Sequence, residues 1–505
     1  MSSYSTTQKW TLITTIMASS LVFIDGSALN VALPALQKEM ELTGTQLLWV
    51  INGYALFLSA LLMVGGALGD LYGRNRIFLI GLVLFSISSL VCGLAQNASQ
   101  LLVARGFQGI GGALLTPGSL SILSAHFNNE NRGKAIGLWS TFSALMGIIG
   151  PILGGWLAGM GYWRVIFFLN IPLSIFVFFG LLYKVPESKN ASAKKLDVVG
   201  AVLVTLGLAG VTFGFTESSD LGFQHPVILM SVGIGITTLI IFTYSQKRIR
   251  NPMMPLSLFQ SKTFTGANLM TLFLYMAMSG ALFFVPLNLI QIQGYSEVKA
   301  GLSMLPIIIC IATISPLMGK YIDQKGYRLP LIIGPLIVAA GYFTFTLIGI
   351  SEGASSYWST FMLPFLLIGI GMGIVVAPLT TAVMGSVNEA NIGVASGINN
   401  TVARAASVLA IALLGAFALF SFKGEVIEKV ETLGIEQRAQ ELLIEEAEDF
   451  TAAKPPLSLD KETALQAQQI YKEAFVSSFD GVVIIAMLLA LLSSLISFLT
   501  IKNQD

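Results

Sequence analysis

Two opposite charges inside long apolar stretches are the residues most able to do chemistry. Asp25 lies eight residues before Leu33, and Arg105 lies five residues into the apolar run 100–125. At about 1.5 Å per helical residue, both lie roughly 8–12 Å below the predicted outer ends of their spans. We expect them to pair if the two spans are neighbours, so that Asp25 holds or releases a proton depending on Arg105. The alternative is a static structural ion pair.

A short charged turn near the front of the chain has an echo in the second half. The two copies read Gly66-x-x-x-Asp70-x-x-Gly73-Arg74 and Gly319-x-x-x-Asp323-x-x-Gly326-x-Arg328. A second pair, Asn131-x-Gly133-x-x-x-Gly137 and Asn391-x-Gly393-x-x-x-Gly397, has a similar offset and indicates two related halves. We expect Asp70, Gly73, Arg74, Asp323 and Arg328 to act as a conformational latch. The alternative is that the arginines only determine topology.

One apolar run carries glycines on a single helical face. The residues are Gly137, Gly150, Pro151, Gly154 and Gly155. Glycines let helices pack closely, and proline removes a backbone donor and bends the helix. This pattern predicts a bent, tightly packed helix, with generic small-residue packing as the alternative.

Polar residues inside the apolar runs are candidates for lining a cavity. They are Asn30, Gln108, Asn268, Tyr275, Asn288, Asn399, Asn400 and Arg404. Any single one is as readily explained by packing between helices. Cys92 and Cys310, both in apolar runs, are expected to be core residues, and the two histidines offer no zinc constellation, so no metal site is predicted.

The elements that position these residues follow from composition. Of 505 residues, 54% are hydrophobic and only 11% are charged, against about 25% in soluble domains. Spans of about 20 residues are needed to cross a bilayer. We therefore expect an all-α integral membrane protein, which excludes nucleic-acid binding and soluble enzymes.

Fourteen apolar runs divide into three groups. Residues 10–183 hold six predicted spans, 197–246 hold two, and 264–501 hold six. If the N-terminus is cytoplasmic, the inside segments carry 17 lysines and arginines and the short outside loops carry 3. This asymmetry predicts that both termini are cytoplasmic. The run at the N-terminus is not expected to be a cleaved signal peptide, because Asp25 lies within it.

The segment 422–477 is the only polar stretch of any length. Residues 422–480 hold 13 acidic and 6 basic residues. Helical spacing of its apolar residues, a break at Pro455-Pro456 and a capping Asp460 predict an acidic helical hairpin outside the membrane. The alternative is a solvated or partly disordered loop. Such a hairpin is also a candidate surface for an extracytoplasmic protein partner.

These motifs resemble those of a known family. Asp25-x4-Asn30-Val-Ala-Leu-Pro34 and Leu101-x3-Arg105-x2-Gln108-Gly109-x-Gly111-Gly112-Ala113 are similar to the first-span and fourth-span motifs of the fourteen-span drug:proton antiporters (EmrB/QacA type) of the major facilitator superfamily. Further motifs of the same family resemble Gly66–Arg76, Gly150–Gly155, Trp163-Arg164-x2-Phe167-x2-Asn170-x-Pro172 and Gly393–Arg404. One position departs from the pattern, because Met146 stands where the antiporter motif has glycine.

The resemblance implies a fold and an activity. The fold is two six-helix bundles with two extra central helices, in the plasma or inner membrane. The activity is proton-coupled export of small lipophilic or amphipathic compounds by alternating access, with Asp25 and Arg105 in proton coupling and with lipid, substrate and protons as partners. No cofactor is implied, because the proton gradient supplies the energy, and no Walker-type ATP motif occurs.

Two alternatives remain open at this stage. The same fold could export an endogenous lipid, siderophore or metabolite. A membrane enzyme or a sensor is the other class, but the sequence offers neither a catalytic cluster at a span end nor a sizeable soluble output domain.

Overall fold

The computed structural model describes residues 4–127, 129–189, 196–388, 392–456 and 459–502. These residues are largely helical, as expected for a chain that must satisfy its backbone hydrogen bonds within each apolar segment. The helices are α1 (Thr6–Met40), α2 (Gly44–Tyr72), α3 (Arg74–Leu94), α4 (Ala98–His126), α5 (Asn129–Gly159), α6 (Val165–Phe168), α7 (Asn170–Lys184), α8 (Val198–Leu221), α9 (Pro226–Ser245), α10 (Lys262–Leu287), α11 (Glu297–Ser303), α12 (Leu305–Lys325), α13 (Arg328–Phe345), α14 (Met362–Gly385), α15 (Ile392–Glu431), α16 (Gln437–Glu446) and α17 (Lys461–Thr500).

Within the described residues, 12 helical segments are long and apolar enough to cross a membrane. Two further helices are long enough but do not meet the same criterion of apolar composition over their described residues. They are α4, with 29 residues, and α5, with 31 residues. The α4 helix carries Arg105 in its apolar run, which lowers its hydropathy. Length and composition of the helices therefore establish a multi-pass membrane architecture.

The helices divide into two compact units. Unit 1 comprises Met1–Ala32, Val50–Val211 and Gly233–Ser257, and unit 2 comprises Leu33–Trp49, Thr212–Val232 and Leu258–Asp505.

In unit 1, α3 packs along α4 and also contacts α6 and α7. Its core includes fully buried side chains from several helices, namely Leu21, Phe78, Phe85, Ile122 and Val177. The chain enters α3 through Gly73, whose φ of 114° is readily available only to glycine. This core fixes the helices that carry Asp25 and Arg105.

In unit 2, α10 packs on α15 and α17, while α14 packs on α12 and α13. Aromatic rings join these helices. Phe345 of α13 has its ring centroid 5.5 Å from that of Phe365 on α14 and 5.8 Å from that of Phe479 on α17. Large rings in edge-on contact bury much apolar area at each crossing.

Three helices extend beyond the runs that the sequence predicted. The first continues past Pro34 to Met40, and α15 continues to Glu431. The α17 helix begins after the predicted cap at Asp460 and runs unbroken into the last apolar run. Hydropathy marks only the part of a helix that faces lipid, so polar extensions of the same helix escape it.

Segment 422–477 therefore combines the end of α15, the short α16 and the start of α17. Asp460 accepts hydrogen bonds from the backbone nitrogens of Glu462 and Thr463, both at 3.0 Å, which confirms the predicted cap. Between α16 and α17, Phe450 packs edge-on against Phe422 at 5.1 Å and tilted against Phe475 at 5.2 Å between ring centroids. The described part of this segment is thus helical and packed.

Candidate functional site

The Asp25 carboxylate of α1 is fully buried in unit 1 and receives three side-chain hydrogen bonds. Arg105 Nη1 donates to Oδ2 at 2.6 Å, and Gln108 Nε2 donates to Oδ1 at 2.8 Å. Asn170 Nδ2 donates to the same Oδ1 at 3.4 Å. The contact that the sequence predicted between Asp25 and Arg105 is therefore present, and both carboxylate oxygens are occupied.

The Arg105 guanidinium is equally enclosed and has partners besides Asp25. Its Nε donates to the Val50 carbonyl at 3.1 Å, and its Nη1 donates to Gln108 Oε1 at 2.7 Å. The guanidinium carbon lies 4.3 Å from the centre of the Tyr54 ring, a cation–π contact. These contacts leave the arginine held even when its interaction with Asp25 weakens.

Five helices position this site. The first supplies Asp25, α2 supplies Val50 and Tyr54, and α4 supplies Arg105 and Gln108 one turn apart. The α7 helix begins at Asn170, and its side chain also donates to Ser89 Oγ of α3 at 2.9 Å. A hydrogen-bonded network from all five helices explains why these polar groups tolerate complete burial.

The burial of the Asp25–Arg105 pair has an energetic cost. A buried ion pair is often no more stable than apolar packing of the same volume, while removing one partner costs about 3–5 kcal/mol. Stability alone therefore does not account for the presence of this buried pair.

The predicted glycine helix, α5, packs directly against the helix of Asp25. A methyl group at Gly150 would collide with the Ser27 side chain, and one at Gly154 would collide with the Ala28 backbone. Both contacts lie within three residues of Asp25, on the next turn of α1. Pro151 lies within the same helix and Gly155 follows it, whereas the side-chain position of Gly137 falls outside the described residues.

The charged turn between α2 and α3 forms a compact junction. Arg74 Nη2 lies 2.8 Å from Asp70 Oδ1, and Arg74 Nη1 donates to the Ser121 carbonyl of α4 at 3.3 Å. Glu187, from the segment after α7, accepts hydrogen bonds from the backbone nitrogens of Asn75 and Arg76, both at 3.0 Å. Its carboxylate therefore caps the N-terminus of α3.

The structure describes only part of the second charged turn, Gly319–Arg328. The side chain of Asp323 lies outside the described residues. Arg328 Nη2 donates to the Phe498 carbonyl of α17 at 3.2 Å, with its guanidinium 5.7 Å from the Phe498 ring. In unit 2 this arginine thus ties α13 to the end of α17.

The structure brings some cavity candidates together and separates others. Asn399 Nδ2 donates to Thr271 Oγ1 at 2.7 Å and to Asn268 Oδ1 at 3.3 Å, which joins α15 to α10. Asn288 Oδ1 accepts from Gln293 Nε2 at 3.0 Å. Each of these residues pairs with another protein group.

The remaining candidates have varied surroundings. Asn400 is exposed and donates to the Ser396 carbonyl of its own helix at 3.0 Å. Tyr275 and Arg404 are half-buried on α10 and α15. Asn30 is half-buried in unit 1, and its Oδ1 has no hydrogen-bond partner in the described chain.

Sequence reasoning did not assign a role to three groups that the site uses. Asn170 belongs to a quoted motif but had no assigned contact, and the Val50 carbonyl carries no sequence signal. Glu187 lies among lysines in a polar stretch, where an acidic side chain is ordinarily solvated. Phe167 and Asn170 are three residues apart, and both contact the Asp25–Arg105 site. This spacing is the sequence signal that could have assigned Asn170 to the site.

Comparisons with known proteins agree with this architecture. Residues 15–411 match the sequence profile of the Major Facilitator Superfamily. The multidrug resistance protein Stp of Mycobacterium tuberculosis (strain CDC 1551 / Oshkosh) is 32% identical over 81% of this chain and 75% of its own. The tetracenomycin C resistance and export protein of Streptomyces glaucescens is 26% identical over 98% of this chain and 92% of its own.

Solved structures share the fold at low identity. A bacterial homolog of the human lysosomal transporter Spinster, inward-facing and unoccupied, superposes with a TM-score of 0.69 at 17% identity, covering 98% of both chains. The xylose transporter XylE from E. coli, in an inward open conformation, gives 0.57 at 14% identity, covering 98% of this chain and 96% of that one. With the profile match over most of its length, the chain belongs to the Major Facilitator Superfamily of membrane transporters.

Proposed function

We propose that this protein is a proton-coupled efflux antiporter that exports small lipophilic or amphipathic compounds. The observation that carries the proposal is the buried Asp25 carboxylate, bonded by Arg105, Gln108 and Asn170. Relatives named for multidrug resistance, puromycin resistance and tetracenomycin C export support the efflux part. The proton gradient replaces a cofactor as the energy source.

The mechanism follows from the two protonation states of Asp25. A proton that enters from outside adds to a carboxylate oxygen and removes the charge that attracts Arg105. Arg105 keeps its hydrogen bonds to the Val50 carbonyl and Gln108 Oε1, but both acceptors are neutral, so its buried charge is left without a counterion. The weakened contact between α1 and α4 then favours the alternate state, and the proton leaves on the inside when cargo binds.

The architecture of the proposal includes α4 and α5 as spans, which gives fourteen with both termini cytoplasmic. Residues 10–183 and 264–501 form the two six-helix bundles, with 197–246 as two extra helices and 422–477 outside the plasma or inner membrane. This is the EmrB/QacA type of antiporter. The turns at Asp70–Arg74 and Asp323–Arg328 serve as latches, and the close α1–α5 contact at Gly150 and Gly154 transmits the change at Asp25.

An endogenous lipid, siderophore or metabolite is the alternative cargo of the same machine. Proton release from inverted vesicles, challenged with a panel of lipophilic compounds, tests the proposal. We expect release with some compounds from vesicles holding the unmodified protein and none from a folded Asp25→Asn variant. Release that is equal in both would contradict proton coupling through Asp25, and release only with one narrow cargo class would favour the alternative.

A further inference from the structure

His126, the last residue of α4, lies where three parts of unit 1 meet and has no part in the mechanism described so far. Its ring lies between two backbone carbonyls. Nδ1 is 2.9 Å from the Ile122 oxygen of its own helix, and Nε2 is 3.1 Å from the Pro186 oxygen of the segment after α7. The main-chain carbonyl of His126 accepts a hydrogen bond from Gln8 Nε2 of α1 at 3.3 Å. His126 therefore joins the end of α4 to α1 and to the segment after α7.

Both ring nitrogens face groups that can only accept a hydrogen bond. A carbonyl oxygen has no proton to donate, and a neutral imidazole carries one N–H and one lone pair. A neutral His126 ring can therefore bond only one of the two carbonyls, and the lone pair of its other nitrogen points at the oxygen of the second. The imidazolium carries an N–H on each nitrogen and bonds both. The two contacts thus fit the charged ring.

The electrostatic surroundings also suit a cation. The C-terminal end of a helix carries partial negative charge, which stabilises a charged histidine at that position. Glu187 follows Pro186 directly, so a carboxylate belongs to the segment that the ring contacts. The nearby guanidinium of Arg74 is already paired with Asp70, at 2.8 Å.

The ring is the group in this region whose charge ordinarily changes near neutral pH. The other titratable or charged groups of the elements around it are Tyr4 and Lys9 from the start of the chain, Asp70 from α2, Arg74 and Arg76 from α3, and Lys184 and Glu187 from α7 and the segment that follows it. The side chains of Glu130, Arg132 and Lys134 of α5 lie outside the described residues. All these residue types ordinarily keep one charge state between about pH 5 and pH 8, whereas imidazole changes its charge in that range.

His225, the other histidine of the chain, has the opposite arrangement. It is exposed just before α9, and its Nδ1 accepts a hydrogen bond from the backbone nitrogen of Val227 at 3.3 Å. A ring nitrogen that accepts a hydrogen bond carries no proton. The contact therefore fits a neutral ring, and His225 is a control within the same protein.

We propose that His126 is a proton-binding site, at which the bound proton holds the end of α4 against the segment after α7. That segment also holds the charged turn, because the Ser188 carbonyl accepts a hydrogen bond from the Arg74 backbone nitrogen at 2.9 Å and Glu187 caps α3. When the proton leaves, one hydrogen bond of the ring becomes a repulsion between lone pairs, and the segment loosens. Proton binding does not depend on the proposed function, whereas a part for His126 in the latch does rest on it.

Nuclear magnetic resonance of the two histidines tests the proton site directly. Full-length protein without a histidine tag is labelled with ¹³C,¹⁵N-histidine, so that two side chains give signals, and His225→Ala assigns them. The ¹⁵N shift of each ring nitrogen reports whether it carries a proton. In a titration from pH 5 to pH 9, we expect the midpoint for His126 to lie about one pH unit or more above that for His225, because hydrogen bonds from the charged form favour it.

Amide hydrogen exchange at the start of α3 tests the effect on the turn. We expect the amides of Arg74, Asn75 and Arg76 to exchange about threefold faster or more at pH 8 than at pH 5.5, after correction for intrinsic rates. His126→Ala should exchange fast at both pH values. His126→Lys keeps a charged donor at both and should exchange slowly at both, and the matched control His225→Ala should retain the pH dependence of the unmodified protein.

A midpoint for His126 at or below that for His225 overturns the proton site without any substitution at His126. Exchange that is equal at the two pH values in the unmodified protein, or an unchanged pH dependence in folded His126→Ala protein, overturns the effect on the turn. The Asp25→Asn variant separates this inference from the proposed function. The expected result there is lost proton release with an unaltered His126 midpoint, whereas a midpoint that falls to that of His225 would overturn the assignment of the proton to His126 itself.

Discussion

At the scale of single residues, the site depends on the shape of the Arg105 side chain as well as its charge. Three acceptors surround its guanidinium, namely the Val50 carbonyl, Gln108 Oε1 and Asp25 Oδ2. A guanidinium presents several donors in a fixed plane, whereas an ammonium is a compact point charge. The positions of the three acceptors therefore fit a guanidinium and do not fit an ammonium group.

Replacing Arg105 with lysine keeps the charge and tests this requirement. We expect Arg105→Lys to lower proton-coupled transport at least about tenfold, because one ammonium cannot reach all three acceptors. Transport by vesicles with equal amounts of protein measures the effect. Arg248→Lys, at an exposed arginine outside the site, is the control. Near-normal transport by Arg105→Lys would mean that charge alone is sufficient.

Asp25, Arg105 and Gln108 were predictable from sequence because charged and amide side chains are rare in apolar spans. Asn170 was not, since an asparagine at the start of a helix is usually a cap or a packing residue. The Val50 carbonyl was inaccessible for a different reason, because every residue has a carbonyl and only the tertiary structure selects one.

At the scale of elements, the close contact between α1 and α5 connects the glycine helix to Asp25. A side chain at Gly154 would meet backbone atoms of Ala28, which cannot move aside without moving the helix. Overpacking of this kind typically costs about 1–3 kcal/mol.

We therefore expect Gly154→Ala to lower the thermal unfolding temperature by a few degrees and to reduce transport. The matched control is Gly233→Ala in α9, where a methyl group would meet open space. Differential scanning fluorimetry in detergent and vesicle transport give the two measurements. Equal unfolding temperatures and equal transport for the two alanine variants would show that the close α1–α5 contact does not contribute to transport.

Glu187 offers a second prediction at this scale, because its carboxylate caps α3 beside Asp70 and Arg74. Capping by a carboxylate contributes about 0.5–2 kcal/mol. We expect Glu187→Ala to raise hydrogen exchange of the first amides of α3, namely those of Asn75 and Arg76. Lys189→Ala, an exposed residue of the same segment, should leave exchange there unchanged. Equal exchange in the two variants would show that Glu187 does not hold the turn.

Helix boundaries show how far the sequence determined the elements. Predicted apolar runs coincide with helices that are long and apolar enough to cross a membrane, as at α2 and α3. Boundaries failed at α1 and α15, since both helices continue into polar surroundings. At α17 the predicted cap was correct, but the helix that it starts is continuous with the last apolar run. Pro34 did not end α1, because other contacts outweigh the one hydrogen bond that proline removes.

At the scale of the whole molecule, the acidic segment 422–477 makes the structure of unit 2 depend on pH. In the folded protein the pKa of Asp449 and of Glu446 is raised, mainly by burial. The folded state therefore holds protons more tightly than the unfolded state, and its stability decreases as the pH rises through the ordinary carboxyl pKa towards the raised values.

We expect the amides of α16 to be better protected from hydrogen exchange at pH 5 than at pH 8, after correction for the intrinsic exchange rate. Asp449→Asn should reduce this difference, because an amide carries no charge at either pH. Glu428→Gln, on the exposed face of α15, should retain it. Greater protection at pH 8 in the unmodified protein would contradict the sign of this prediction.

The many apolar runs were evident in the sequence and agree with the apolar helices of the described residues, whereas the two related halves stay a prediction. The packing of segment 422–477 was not evident, because its acidic composition is equally typical of a solvated loop. The position of Phe450 among rings from α15, α17 and α10 shows that this segment is packed.

The central claim is that Asp25 carries the proton that is exchanged for cargo. The most direct test is proton release on binding of an exported compound to the purified protein, in weakly buffered detergent solution scanned from pH 5 to pH 8. The account predicts proton release from the unmodified protein and none from Asp25→Asn. Equal release by a folded Asp25→Asn protein that still binds the compound would contradict it.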